Sequence, residues 1–426
     1  MGLYLPFFYY DCCILQIRVI RQIRRRFRLS HPPRQRREIR LYIFLTDVLR
    51  LSLTTFGGPQ VHIALFIRHL VTKRRYLSEA ELLELFALCQ ILPGPTSTQT
   101  LTAIAFRIGG PRLAFMALII WLLPAVIVMT LAAILLNYAE GLDLSVSFVR
   151  YMQPVAVALL LHSGYAVMLK VVQSRTMAAV MIISAVIAYA YPSPWVTPIL
   201  LISSGIFSAI RYKNELEPQP REPLHIEWAN FILYAVILVV AILLGHYTTF
   251  KPIRLFENFY RNGSLIFGGG QVLVPAMYNE FVEFKHYLTS EEFLSGYALS
   301  QVLPGPVFSF CSYIGALSMR PDGFWAQLLG SLMGTIGIFL PGTLLIFFII
   351  RFWEQLKKYR VVKASLQGVN ATGAGLVFAA VILLFKPIGG DPVNIGIVVT
   401  AFAVLTFTKI QPFWLIVAAV LLGIIF

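Results

Sequence analysis

Long apolar stretches limit how this chain can fold more than any other feature of its sequence. Hydrophobic residues make up 58% of the 426 residues and charged residues only 13%, whereas soluble domains carry about 25% charged residues. A helix rises about 1.5 Å per residue and needs about 20 residues to cross a bilayer. The sequence therefore predicts an all-α polytopic membrane protein, multi-pass and in the plasma membrane. We expect nine spans, at 112–138, 147–169, 176–192, 195–210, 226–247, 324–350, 364–386, 393–408 and 411–426, and four shorter pieces.

The chain contains an internal repeat with a constant offset of about 211 residues. FGGPQV at 56–61 recurs as FGGGQV at 267–272, YLS at 76–78 recurs as YLT at 287–289, and QILPGP at 90–95 recurs as QVLPGP at 301–306. Further along, LP at 123–124 matches LP at 340–341 at an offset of 217. Such self-similarity is typical of transporters. We expect a first repeat at 41–212, a linker and connecting transmembrane helix at 213–249, and a second repeat at 250–426.

The four shorter pieces contain glycine or proline breaks near their middles. They lie at 41–70, 80–106, 255–284 and 292–318. Proline removes a backbone donor and glycine loosens a helix, and broken backbone at membrane depth survives only inside protein or against water. The sequence therefore predicts broken or re-entrant helical hairpins.

The distribution of charge predicts that the two halves have inverted topology. Arg68, Lys73, Arg74 and Arg75 follow the first break, while Glu280 and Glu283 follow the equivalent break of the second half. Positive loops stay in the cytoplasm, so equivalent loops of opposite charge indicate opposite orientation. Nine crossings from a cytoplasmic N-terminus place the C-terminus outside.

Residues 1–40 form an Arg-rich N-terminal extension that we expect to be cytoplasmic and poorly ordered. They hold ten Arg against Asp11 and Glu38, which is +8 of the net +15. Beside a multispan protein, such a cluster favours cytoplasmic retention or contact with anionic membrane lipids rather than nucleic acid. Four scattered cysteines and seven histidines without metal-ligand spacing predict no metal, no cofactor and no enzyme activity.

The duplicated breaks are the predicted substrate site. Half-helix N-termini at membrane depth expose N–H groups and the positive end of the helix dipole, which suit an anion. Glycines allow a close approach of the backbone to a ligand, while nearby hydroxyl and amide groups can donate to oxygens; the alternative is that glycine and proline only permit tight packing. The residues are Gly57, Gly58, Gln60, Gln90, Pro93, Gly94, Pro95, Thr96 and Ser97 in the first half, and Gly268, Gly269, Gly270, Gln271, Gln301, Pro304, Gly305 and Pro306 in the second.

Three charged or titratable residues complete the predicted site. Arg50 and Arg261 each lie six residues before the FGG segment of their half, and arginine suits an oxyanion because its donors form a planar fork; both could also lie at the membrane surface. His62 titrates near neutral pH and could couple protons to transport, or it could be an ordinary core histidine.

These motifs resemble the chromate ion transporter (CHR) family in its two-domain long form. The resemblance runs from about residue 41 to 426 and rests on FGGP at 56–59, LPGPTSTQ at 92–99, FGGGQ at 267–271, LPGP at 303–306 and GVNA at 368–371. It implies transport of an oxyanion, namely chromate efflux driven by the proton gradient, with sulfate as a similar competitor. We therefore expect a secondary active transporter of a divalent tetrahedral oxyanion, with protons and membrane lipids as partners and a homodimer left open. The alternative is a passive anion channel.

Overall fold

The computed structural model describes residues 33–55, 58–141, 150–191, 193, 195–212, 228–266, 270–351, 360–408 and 410–425. This part of the chain consists of helices, turns and loops, with no strand. By its internal contacts the chain divides into two units, residues 1–50 and residues 51–426.

Sixteen α-helices are described. They are α1 (Pro33–Thr54), α2 (Gly58–Phe66), α3 (Glu79–Ile91), α4 (Thr96–Gly141), α5 (Met152–Val171), α6 (Arg175–Ala190), α7 (Val196–Tyr212), α8 (Ala229–Tyr247), α9 (Lys251–Leu265), α10 (Gly270–Tyr278), α11 (Ser290–Val302), α12 (Phe310–Ser318), α13 (Phe324–Ile349), α14 (Arg360–Phe385), α15 (Pro392–Phe407) and α16 (Pro412–Ile425).

The predicted spans correspond to helices, but not all of these are long. Among the described residues, five helices are long and apolar enough to cross a membrane, the part of α4 up to Tyr138 and α5, α8, α13 and part of α14. The pairs α6–α7 and α15–α16 are shorter, with 14 to 17 residues each. At about 1.5 Å per residue, each of these four covers less than the roughly 30 Å hydrocarbon core. The expectation of nine full-length spans was therefore wrong in length for these four.

Helix α1 begins inside the predicted N-terminal extension, at Pro33. Residues 1–32 lie outside the described residues, so the expectation that residues 1–40 are poorly ordered stays a prediction. Proline at the first helical position suits its fixed φ and its missing N–H group.

The predicted breaks occur, and they repeat in their backbone geometry. Helix α3 ends before the Pro-Gly-Pro segment at 93–95, and α11 ends before the matching segment at 304–306. A π-helical turn ends at Lys73 in the first half and at Phe284 in the second, and Arg75 and His286 both have φ of 53°. Three of these features are thus related by the same offset of 211 residues.

Helices α3 and α11 begin with equivalent caps. Ser78 and Glu81 form a capping box at α3, and Thr289 and Glu292 form one at α11. In each box the hydroxyl accepts from the third N–H group while the carboxylate accepts from the cap N–H group. The sequence repeat therefore encodes one local structure twice.

The two halves are interlocked rather than side by side. Helices α6 and α7 of the first half pack on α14 of the second, while α15 and α16 of the second half pack on α5 of the first. Small residues allow the closest approaches: Ser208 Oγ donates to the Ala364 carbonyl (2.6 Å), and a methyl group added at Gly368 would lie 2.1 Å from the Ser204 carbonyl oxygen. Close backbone contact of this kind is how helices associate in membranes.

Candidate functional site

The Pro-Gly-Pro break of the first half meets the broken helix of the second half. The Gly94 N–H group donates to the carbonyl of Ile266 (2.8 Å), the residue that ends α9. Gly94 has φ of +114°, a conformation open to glycine but strained for other residues. We call this contact the first crossing.

The second half repeats the arrangement with the roles exchanged. The Gly305 N–H group donates to the carbonyl of Thr55 (2.9 Å), and Gly305 has φ of +116°. Donors and acceptors both differ by 211 residues, so a pseudo-twofold relation connects this second crossing to the first. Each predicted Pro-Gly-Pro break is thus hydrogen-bonded to the opposite half.

At the first crossing, the N-terminus of α4 lies in a buried polar region. The first main-chain hydrogen bond of α4 runs from the Gln99 N–H group to the Pro95 carbonyl (2.9 Å). The N–H groups of Thr96, Ser97 and Thr98 precede it and have no partner within the helix. The side chains of all three are buried, so the partial positive charge of the helix start lies in a region of low dielectric constant.

His62 lies against this helix start. Its Nδ1 is 3.0 Å from Ser97 Oγ, its ring packs edge-on against Trp121, and Trp121 Nε1 donates to Thr98 Oγ1 (3.2 Å). Only 1% of His62 is exposed, yet its Nε2 atom has no hydrogen-bond partner among the described residues. A buried polar atom without a partner costs free energy. The cluster therefore has an unused hydrogen-bonding position beside a helix N-terminus.

A second unused position lies at the same crossing. Gln99 donates through Nε2 to the Pro93 carbonyl (2.7 Å), and its Oε1 atom is buried without a partner in the described part of the chain. Gly342 of α13 lies against the same amide, where an added methyl group would come within 2.5 Å of Gln99 Nε2. Helix α13 of the second half thus helps to enclose the first crossing.

The polar cluster belongs to one half only. At the equivalent positions of the second half, Leu273 replaces His62, Phe308 replaces Ser97 and Ile338 replaces Trp121. Phe308 lies close to Phe339, with ring centroids 6.2 Å apart. Much of the backbone is therefore duplicated while the chemistry is not. Residues 307–309 form a 3₁₀ turn where the first half begins α4, and the polar positions concentrate at the first crossing.

The predicted site residues other than Arg261 divide into four groups. Those gathered at the crossings and buried are Pro93, Gly94, Pro95, Thr96, Ser97, His62, Gly305 and Pro306. Those less buried are Pro304 and Gln301, which are half-buried, and Gln90 and Arg50, which are exposed. Gly58 and Gly270 begin α2 and α10. Outside the described residues lie Gly57, Gly268 and Gly269, together with the side chains of Gln60 and Gln271.

Arg261 is buried within a group of charged side chains on the second half. Its Nε donates to Glu257 Oε1 (2.7 Å) and its Nη2 to Glu280 Oε2 (2.9 Å), while Lys285 Nζ lies 3.7 Å from Glu280 Oε1. The face of Trp195, which joins α6 to α7, covers the guanidinium at 5.3 Å. Of the two predicted arginines, Arg261 is the buried one.

Sequence reasoning missed several residues of the first crossing. Trp121 and Gly342 lie on other helices and reach the crossing only through tertiary packing. Ile266 directly precedes the repeated FGGGQ segment, and Gln99 directly follows the repeated Pro-Gly-Pro segment. Their nearness to the two repeats was the available signal.

The structure contains a polar cavity of about 770 Å³. It is lined by the start of α5 (Arg150, Gln153), the start of α11 (Glu291, Glu292) and the α14–α15 connection with Asp391. Arg150 and Asp391 form an ion pair across it (3.0 Å). The charge count assigns all three segments to the outer side of the membrane.

The repeats also correspond to a known protein family. The family model described as chromate transporter matches residues 42–209 and 253–424, which cover both repeats. The chain belongs to the chromate transporter family. As a member of this transporter family with several apolar helices, it is a multi-pass integral membrane protein, as the sequence predicts, and the predicted plasma-membrane location agrees with this.

Several relatives share most of this family member's length. A chromate transport protein of Pseudomonas aeruginosa is 27% identical over 351 residues, 78% of each chain. A chromate transport protein of Cupriavidus metallidurans is 24% identical over 385 residues, 88% of this chain and 91% of the relative. An uncharacterised transporter of Methanocaldococcus jannaschii is 27% identical over 346 residues, 80% and 83% of the two chains. No solved structure matches this chain.

Proposed function

We propose that the chain is a secondary active transporter that carries chromate across the membrane, with efflux coupled to the proton gradient. Chromate is a tetrahedral dianion, and sulfate has the same shape and charge, so we expect sulfate to compete. Membership of the chromate transporter family supports the substrate class. We assign substrate binding to the first crossing, at the start of α4.

The observation that carries this assignment is the unused Nε2 atom of His62 beside the start of α4. When Ser97 donates its hydroxyl hydrogen to Nδ1, the neutral imidazole carries its own hydrogen on Nε2 and can donate it to a ligand oxygen. The N–H groups of Thr96, Ser97 and Thr98 add main-chain donors. A tetrahedral oxyanion accepts several such donors at once, which is how helix N-termini bind sulfate and phosphate.

The test compares His62→Leu with the wild-type protein in proteoliposomes. Leucine is the residue that the second half has at this position, within the same backbone, so the variant should fold. We expect the KM for chromate to rise about 10- to 100-fold, because a hydrogen bond to a charged group contributes about 1.5–3 kcal/mol. The melting temperature in detergent should stay within a few degrees of wild type.

The matched control is Ser309→Ala, which removes a buried hydroxyl next to the second crossing. It should leave the KM within about twofold, whereas an equal loss in both variants would contradict substrate binding at the first crossing rather than the second. A pH gradient separates a carrier from a channel. A coupled carrier accumulates chromate against its own gradient, and a passive anion channel only equilibrates it.

A further inference from the structure

The charged side chains around Arg261 are almost completely removed from solvent. Side-chain exposure is 9% for Arg261, 14% for Glu257, 1% for Glu280 and 16% for Lys285. Two positive and two negative charges balance each other. Ionised groups buried at membrane depth cost free energy and tend to have a function. Packing alone therefore does not account for this cluster.

The cluster contains two donors that nothing in the described structure accepts. Arg261 Nη1 and Asn258 Nδ2 are both buried without a hydrogen-bond partner among the described residues. The two residues lie one helical turn apart on α9, and Arg261 Nη2 is 3.4 Å from Asn258 Oδ1, so the free donors belong to one small patch. Unpaired N–H donors, one of them on a guanidinium, suit an oxyanion.

The first half shows that the hairpin folds without these carboxylates. At the register of Glu257 and Glu280 it has Thr46 and His69. Even so, its π-helical turn, its left-handed residue and its capping box match those of the second half. Because the same backbone forms from a sequence that lacks both acids, the cluster is an addition to the fold.

We propose that Arg261 and Asn258 form a second oxyanion site on α9, and that Glu280 is an internal anion that holds the guanidinium until an oxyanion displaces it. The inference rests on the proposed function, since the ligand is the transported oxyanion class. Arg261 precedes Ile266 by five residues, about 7.5 Å along the helix axis. The proposed site therefore lies next to the first crossing.

This exchange makes Glu280 a competitor of the bound anion. When a dianion takes the guanidinium, Glu280 loses its strongest partner. The other charged groups near it are Glu257 and Arg254 on α9, together with Lys285. Removing the charge of Glu280 should therefore raise the affinity of the site for an oxyanion.

The experiment measures binding of radiolabelled sulfate to the purified full-length protein at neutral pH. Sulfate is the probe because it is a dianion there. Glu280→Gln removes the internal anion, so its affinity for sulfate should be at least tenfold higher than that of the wild type.

The control is His69→Gln at the equivalent position of the first repeat, which should retain the wild-type affinity. Asn258→Asp reproduces the first half's Asp47 and puts a negative charge at the patch, so it should reduce sulfate binding at least tenfold even if Glu280→Gln folds poorly. Wild-type affinity in both Glu280→Gln and Asn258→Asp would overturn the inference, while chromate flux by the wild type would still stand. Absent flux and absent binding in the wild type would instead reject the proposed function.

Discussion

Glycine at two positions determines whether the crossings can form. Gly94 and Gly305 each donate an N–H group to the opposite half while holding φ near +115°. A side chain at such a φ is strained by about 1–3 kcal/mol. At Gly94 an added methyl group would also come within 3.0 Å of Gln99 Nε2, and at Gly305 within 3.0 Å of Ala125 Cβ. The contact between the halves therefore depends on the absence of these two side chains.

Gly94→Ala should reduce chromate transport strongly and lower the free energy of unfolding by about 1–3 kcal/mol, because alanine strains the backbone at this φ. Flux in proteoliposomes and denaturant unfolding in detergent measure the two effects. The matched control is Gly396→Ala on α15, where no heavy atom lies within 4 Å of an added methyl group. A change of equal size in both variants would contradict a special role for Gly94.

At the scale of the elements, each half contributes a pair of short helices that packs on a long helix of the other half. Helices α6 and α7 pack against α14, and Ser184 Oγ lies 3.1 Å from Thr372 Oγ1 across this contact. Gly368 and Gly375 of α14 face the backbone of the pair. The four short helices are too short to span alone, and each packs against a long helix of the other half.

Gly368→Ala should separate α14 from α7, because the new methyl group would lie 2.1 Å from the Ser204 carbonyl oxygen. Overpacking of this kind costs about 1–3 kcal/mol, and the melting temperature in detergent reports it. Gly390→Ala serves as the control, since nothing lies within 4 Å of its added methyl group. An unchanged melting temperature for Gly368→Ala would show that the α7–α14 contact can relax without cost.

At the scale of the whole molecule, a matched pair of charges differs between the two repeats. Glu292 of the α11 capping box pairs closely with Arg320 in the polar cavity, where both side chains are largely buried. The equivalent Glu81 lies 4.0 Å from Arg107, and both of these are exposed. A tight pair in one half and a loose pair in the other therefore distinguishes the two repeats in this structure.

Inversion of the two halves can be tested with two cysteines at the same position of the repeat. Ala80 and Glu291 are exposed and 211 residues apart, each just after the cap of its hairpin. In a background without Cys12 and Cys13, an impermeant maleimide should label Glu291→Cys from outside intact cells and Ala80→Cys only after permeabilisation. Labelling of both from the same side would contradict the inverted topology.

The sequence alone was sufficient for the class of the protein and for its repeat. Apolar stretches exclude a soluble fold because each must leave water, and the FGG and Pro-Gly-Pro segments mark the breaks because glycine and proline act on the backbone locally. Tertiary structure was needed for the partners. Three observations depend on contacts between residues distant in the chain. Gly94 bonds to Ile266 rather than within its own repeat, and His62 rather than Gln90 lies buried at the helix start. Arg261 rather than Arg50 is buried among carboxylates. Local propensity does not encode such contacts. They form only when the two interlocked repeats have packed together.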